Sequence, residues 1–144
     1  MVAFRKLLSL AATTLCLGCG SGVSYVPVEG IVRLDGTPLA GVEVRFAPDV
    51  EPESPRLPFS QALTDANGRY ELLADTNVKG AVVGKHKVVV RRPSARPGPD
   101  DPPPSPSAKL VIPNRYRSLT ETPFHIDVKA DQKTYDLTLT AKES

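Results

Sequence analysis

Val26-Pro-Val-Glu-Gly-Ile-Val-Arg-Leu-Asp-Gly-Thr-Pro-Leu-Ala-Gly-Val-Glu-Val-Arg-Phe46 decides the fold class. In an extended chain successive side chains point to opposite faces, so a period of two marks a half-buried strand. Val26, Val28, Val32 and Leu34 share one face of the first run; Val42, Val44 and Phe46 share one face of the second, with Glu43 and Arg45 on the other. Asp35-Gly36 between them is turn chemistry, because both residues tolerate positive φ, and a hairpin is expected there. A slip of one residue would invert both faces.

The same pattern continues downstream in short runs. Pro48 to Pro58 holds four prolines and several charges, which suits a surface loop and not a hydrogen-bonded ladder. Ser60 to Thr64 and Arg69 to Leu73 flank Asp65-Ala66-Asn67-Gly68, so a second hairpin is predicted, with Asn67-Gly68 as its turn. Gly84-Lys-His-Lys-Val-Val-Val-Arg-Arg92 is rich in β-branched residues and reads as a central strand. Arg96 to Ser107 contains six prolines with Asp100 and Asp101, a composition that buries almost nothing and predicts a solvated, disordered excursion. Order resumes near Leu110, and two last strands put Phe124, Ile126 and Val128, then Tyr135, Leu137 and Leu139, inward. No stretch has a helical period. About seven strands are counted, the number of a small all-β sandwich.

Upstream, Arg5 and Lys6 precede the apolar stretch Leu7 to Leu17, and Gly18-Cys19 follows. This is the layout of an export signal, too short to span a bilayer. Gly18-Cys19 resembles the bacterial lipobox, in which Cys19 receives lipid and the chain is cut before it; Cys16 stands where a leucine is usual. The resemblance implies two or three acyl chains, enough for stable anchoring where a single chain holds only marginally. The whole chain has 18 Lys+Arg against 16 Asp+Glu, and Arg5 and Lys6 fall before Cys19, so the mature chain is formally neutral. That balance gives no reason to expect a nucleic-acid partner. With Cys19 as its one remaining cysteine, the mature chain has no internal disulfide and depends on its apolar core.

The phrases Val28 to Phe46, Thr64-Asp-Ala-Asn-Gly-Arg-Tyr-Glu-Leu72 and Gly84-Lys-His-Lys-Val-Val-Val90 resemble the carboxypeptidase regulatory-like (transthyretin-like) domain. Ile112-Pro-Asn-Arg-Tyr116 with Thr122-Pro123-Phe124 resembles a branch of small bacterial lipoproteins that carry this domain alone. The resemblance implies an all-β, seven-stranded Greek-key β-sandwich of transthyretin/prealbumin type. The expected organisation is a signal peptide at 1–18, a flexible tether at 19–25 and the sandwich at 26–141, with a proline-rich loop at 93–108. A fold of this kind says little about activity.

Enzyme chemistry finds no support in the residues. A nucleophile needs a base within reach and a group that orients the base. His125 alternates out of phase with Phe124 and Ile126 and is expected in solvent; His86 shares its parity with Val88 and Val90 and is expected half buried. The hydroxyisourate hydrolases of the transthyretin-like superfamily end in Tyr-Arg-Gly-Ser, whereas Tyr116-Arg117-Ser118 lacks the glycine and is internal. No catalytic residue is assigned, and no cofactor is implied. Two separated histidines without a free thiol do not make a transition-metal site, and Asp65-Ala66-Asn67-Gly68 lacks the spaced acids of a calcium loop.

Two readings stand after these exclusions. The first is a non-enzymatic, lipid-anchored module of the bacterial cell envelope, facing the periplasm or exterior, that meets an envelope protein through a sheet edge or loop. The second is a glycan or small-ligand binder, with Tyr116, Arg115 and His86 as walls of a shallow site. Tyr25 and Tyr116 are the aromatic candidates for stacking on sugar, because Tyr70 and Tyr135 share the parity of core residues. Lys85, Lys87, Arg91 and Arg92 read either as a patch for an anion or polysaccharide or as the wet face of a sheet.

Overall fold

The structure is a computed structural model in which residues 22–74, 77–93 and 110–142 are described. The expected signal peptide, Cys19 and the excursion from Arg96 to Ser107 lie outside these residues. The described chain is all-β, with its sheets in a sandwich-like arrangement. Its strand segments are β1 (Tyr25–Val26), β2 (Glu29–Leu34), β3 (Thr37–Pro38), β4 (Glu43–Pro48), β5 (Ser60–Leu63), β6 (Arg69–Glu71), β7 (Leu73–Ala74), β8 (Ala81–Val82), β9 (Gly84–Arg91), β10 (His125–Val128) and β11 (Leu137–Leu139). One 3-10 turn covers Asn114–Tyr116.

One sheet has the order β10-β9-β4-β5-β7, and β9 is interior to it as its β-branched composition predicts. A second is built around β2, with β11 parallel on one side and β3 and β6 antiparallel on β2 as well. The segments outnumber the sequence runs because single runs change partner: Arg69 to Ala74 first bonds β2 as β6, then β5 as β7. A short ribbon, β1 with β8, pairs Tyr25 with Val82 and Val26 with Ala81. The last residue assigned to the tether, Tyr25, is thus already in a sheet, because its backbone finds the edge offered by β8.

The first hairpin is a two-residue turn: Asp35 (φ 49°) and Gly36 (φ 83°) are both left-handed, and Leu34 faces Thr37. That geometry matches strand twist and favours glycine at the second position. Its return strand is only Thr37–Pro38, because β4 crosses to the other sheet. The second hairpin is present in one register, with Asp65 N–H donating to Arg69 O at 2.8 Å near the turn and Ser60 facing Ala74 at the far end. Its turn differs from the expected one. Gly68 has φ 74° whereas Asn67 is not left-handed, and Gly68 N–H donates to Asp65 O at 3.0 Å. Asp65 Oδ1 accepts from the N–H groups of Asn67 (2.8 Å) and Arg69 (3.0 Å), which fixes a longer loop than Asn-Gly alone requires.

Every residue predicted inward on β2, β4 and β11 is buried, with Val32, Val44, Phe46 and Leu139 at 0 % exposure, whereas Val26, Phe124 and Ile126, also predicted inward, are only partly buried against the core. Phe46 of β4 and Tyr70 of β6 meet across the two sheets with ring centroids 6.3 Å apart. Truncating such a ring costs about 3–5 kcal/mol, so this contact is a main tie between the layers. The Tyr70 hydroxyl donates to the carbonyl of Tyr135, and burial pushes its pKa far up, with the charge of Asp136 adding to the effect. Thr122 plays a similar part for the segment before β10, donating through its hydroxyl to Val88 O and accepting from Phe124 N–H at 3.2 Å. This tie fixes residues 110–122 against β9.

Candidate functional site

The three side chains expected to share a wall do not share one. Arg115 and Tyr116 sit in the 3-10 turn, and Tyr116 is only 4 % exposed. Its ring stacks on Phe124 at 5.3 Å and its hydroxyl accepts from Thr140 N–H at 3.1 Å. Burial pushes the Tyr116 phenol up, but hydrogen bonds with Thr140 and Arg115 and the charge of Arg115 outweigh it and bring its pKa below the ordinary value. Arg115 lies over the same ring at 4.8 Å and donates to the carbonyl oxygens of Thr140 (2.7 Å) and Lys142 (2.8 Å). The pair ties down the end of the chain after β11. Tyr116 as a surface for stacking sugar is therefore corrected: strand parity carries no information in a 3-10 turn, and the ring faces the core. Tyr25, the other candidate, is half buried in β1.

His86 stands elsewhere, opposite Ile126 on β10, with its ring 5.9 Å from that of Phe46. It is 1 % exposed, more deeply buried than the half-buried position expected of it. Nδ1 lies 2.8 Å from Gly84 O, so Nδ1 carries the proton of the neutral ring, and Nε2 is buried with no hydrogen-bond partner among the described residues. Burial lowers the pKa of His86, against smaller opposing effects from the Gly84 carbonyl and the charge of Asp127. The residue lines a half-open cleft of about 330 Å³ with Asp49, Lys85, His125, Ile126 and Asp127. His125 is exposed there, as its parity predicts.

The basic residues of β9 are divided by the length of the strand. Lys87 is ion-paired to Asp49 at 3.1 Å, and Lys85 faces Asp127 across the ladder, so this end is a wet face with its charges matched. At the other end Arg91 and Arg92 meet a different segment. With Asn114, Arg117, Ser118 and Glu121 they line an open cleft of about 470 Å³. Arg91 donates through Nη2 (2.8 Å) and Nε (3.0 Å) to one oxygen of Glu43, which also lies 3.7 Å from Arg45. Arg92 donates to Leu110 O at 2.7 Å, and burial pushes its pKa down. Arg117 donates to Asn114 Oδ1 at 3.2 Å. Reading the sequence pairs Arg91 and Arg92 with the lysines of their own strand; Arg117 is missed, because a residue 25 positions away has no periodic relation to them.

A third cleft, about 580 Å³, carries Glu29, Asp65, Glu71 and Asp136 on its walls. Three of these carboxylates serve the fold: Asp65 caps its turn, Asp136 accepts from Ile31 N–H at 2.9 Å, and Glu71 lies 3.5 Å from Lys79. No group of three or more His, Cys, Asp or Glu among the described residues is arranged to hold a metal ion. No helix among them is long and apolar enough to cross a membrane. No protein family, no characterised protein and no solved structure matches this chain. The described residues thus define an all-β protein with half-open clefts on its surface.

Proposed function

We propose that this protein is a lipid-anchored module of the bacterial cell envelope, non-enzymatic, whose sandwich presents its loops and clefts to an envelope partner or polysaccharide. One observation carries the reading. Tyr25 enters the β1 ribbon six residues after Cys19 in sequence, and Ser24 O already accepts from Val83 N–H at 3.0 Å. Extended chain covers at most about 3.3–3.6 Å per residue, so lipid on Cys19 would hold the β1–β8 end within about 20 Å of the membrane surface. The finer architecture, a seven-stranded Greek-key sandwich of the carboxypeptidase regulatory-like type, belongs to the same proposal. It is supported by the two glycine turns and the alternation of Val42, Val44 and Phe46.

The test is Cys19→Ser with fractionation of cells. The unmodified chain is expected in the membrane fraction and the variant in the soluble periplasmic or secreted fraction. Unchanged partition of the variant would overturn the anchor.

A further inference from the structure

We propose that the end of the domain carrying Val23, Val50 and Val83 docks on the lipid bilayer, with these three side chains entering the headgroup layer. The inference rests on the reading of Cys19 as a lipid anchor and adds an orientation to it: the domain meets the membrane by one fixed end.

Exposure is the first ground. Val23 and Val50 are each 42 % exposed, and Val83 is 38 % exposed. A single apolar side chain in water is ordinary on a protein surface, whereas a gathering of them marks a contact. Backbone hydrogen bonds on either side of Gly84 bring the three together. Val23 precedes Ser24, whose carbonyl accepts from Val83 N–H at 3.0 Å, and Val50 follows Asp49, whose N–H donates to Lys85 O at 2.8 Å. Val83 and Lys85 flank Gly84, so three segments distant in sequence meet where β9 begins.

The length of chain before the domain says what covers this end. Val23 follows Cys19 by four residues, and extended chain spans at most about 3.3–3.6 Å per residue, so lipid on Cys19 keeps Val23 within about 14 Å of the anchored sulfur. Gly20-Ser21-Gly22 adds no bulky side chain to hold the domain off. So short a link presents the valines to the bilayer at high effective concentration, and weak apolar contact then suffices for docking. Tyr25, half buried in β1 two residues beyond Val23, is of the amphipathic type that membrane–water boundaries favour.

Charge points to uncharged or zwitterionic lipid. The chain from Cys19 onward is formally neutral, and Glu51 follows Val50. Asp49 is held by Lys87 at 3.1 Å, and Lys85 faces Asp127 across the ladder. Contact of this kind is apolar, and salt does not screen it.

Leu63 marks the opposite end. It is 62 % exposed and faces Glu43, at the start of β4. From Glu43 to Asp49 the strand rises about 20 Å, which carries Leu63 away from a membrane met through Val50.

The experiment uses the full-length protein, processed and lipidated in cells, purified in neutral detergent and reconstituted into phosphatidylcholine vesicles. Spin labels are placed at Val50→Cys, Val83→Cys and, for comparison, Leu63→Cys. Collision with oxygen, which concentrates in lipid, is compared with collision with a water-soluble nickel chelate present on both sides of the membrane. The oxygen-to-nickel ratio is expected to be about threefold higher at positions 50 and 83 than at 63, and the same at low and high salt. Val50→Asp/Val83→Asp, read through a label at Val23→Cys, is expected to lower the ratio there to that of Leu63→Cys while the protein keeps its unfolding midpoint and stays in the membrane fraction. Equal ratios at 50, 83 and 63 in a lipidated chain would overturn the docking and leave the anchor standing. Labels shielded from both reagents would put a second copy of the chain on the valines and overturn it as well. Lipid blocks the Cys19 thiol, so labelling of the unmodified chain would overturn the anchor and the docking together.

Discussion

The hydroxyl of Thr64 donates to the carbonyl oxygen of Leu39 at 2.6 Å and accepts from the N–H of Val42 at 3.0 Å. Thr64 is 5 % exposed, and Leu39 and Val42 bracket the reversal in which the chain leaves β3 for β4 and changes sheet. One side chain from the β5 end therefore satisfies two buried backbone groups of a loop 22 to 25 residues away. Thr64→Val keeps the shape and orphans both groups. A buried group without a partner costs about 1–3 kcal/mol, so a loss of about 2–4 kcal/mol is expected in urea unfolding. Thr64→Ser keeps the hydroxyl and is expected to lose about 1 kcal/mol or less. A Val variant as stable as the Ser variant would refute the role.

Gly30 is a position of close approach. A Cβ built there stands 2.0 Å from Tyr135 O, the same carbonyl that accepts from the Tyr70 hydroxyl. Gly30→Ala must push β2 from Tyr135, and overpacking of this kind costs about 1–3 kcal/mol. At Gly36, with φ 83°, a Cβ meets nothing within 4 Å, so Gly36→Ala costs only backbone strain, about 1 kcal/mol. Thermal unfolding of the two variants should rank Gly30→Ala as the less stable; the reverse order would show that the β2–Tyr135 contact yields easily.

His86 links stability to pH. Its pKa is lowered in the folded protein, chiefly by burial, whereas in the unfolded chain it titrates near 6.5. Below about pH 6.5 the unfolded state therefore takes up a proton that the folded state refuses, and stability falls as pH falls, until the depressed folded pKa is passed. Above about pH 6.5 both states are neutral and the contribution is constant. The slope is at most about 1.4 kcal/mol per pH unit for one proton. Urea midpoints measured from pH 7.5 to 5 should decline in the unmodified protein and flatten in His86→Phe, which keeps a ring against Phe46. Parallel curves would remove His86 as the source.

Much of the fold was legible in particular residues. Val42, Val44 and Phe46 declared one buried face, and Leu137 and Leu139 another, because a strand half covered by its partner sheet must alternate. Asp35-Gly36 declared its turn, because few residues tolerate two successive positive φ angles. Asn67-Gly68 declared a reversal but not its geometry, which the carboxylate of Asp65 selects by bonding two backbone N–H groups. Tyr116 was misjudged for a related reason. Outside a strand, alternation has no meaning, and the contacts with Phe124, Arg115 and Thr140 alone place the ring.

The site was less legible than the fold. Arg91 and Arg92 were visible as charges, yet nothing in their own strand distinguished them from Lys85 and Lys87. What separates the pairs is the register of β4 on β9, which brings Glu43 opposite Arg91 and leaves Asp49 for Lys87, together with the tie from Thr122 to Val88 that fixes the segment carrying Arg117 against β9.

By itself the sequence determined the buried faces of β2, β4 and β11, where the chain reverses, and that the described chain is built of strands. These follow from local rules: a period of two, and the few residues that accept a left-handed turn. The tertiary structure decided which strands are neighbours, that one run serves both sheets as β6 and β7, and that Arg117 joins Arg91 and Arg92. Those relations depend on which backbone edges meet, and any strand offers two edges to every other, so the choice is settled only when the whole core packs.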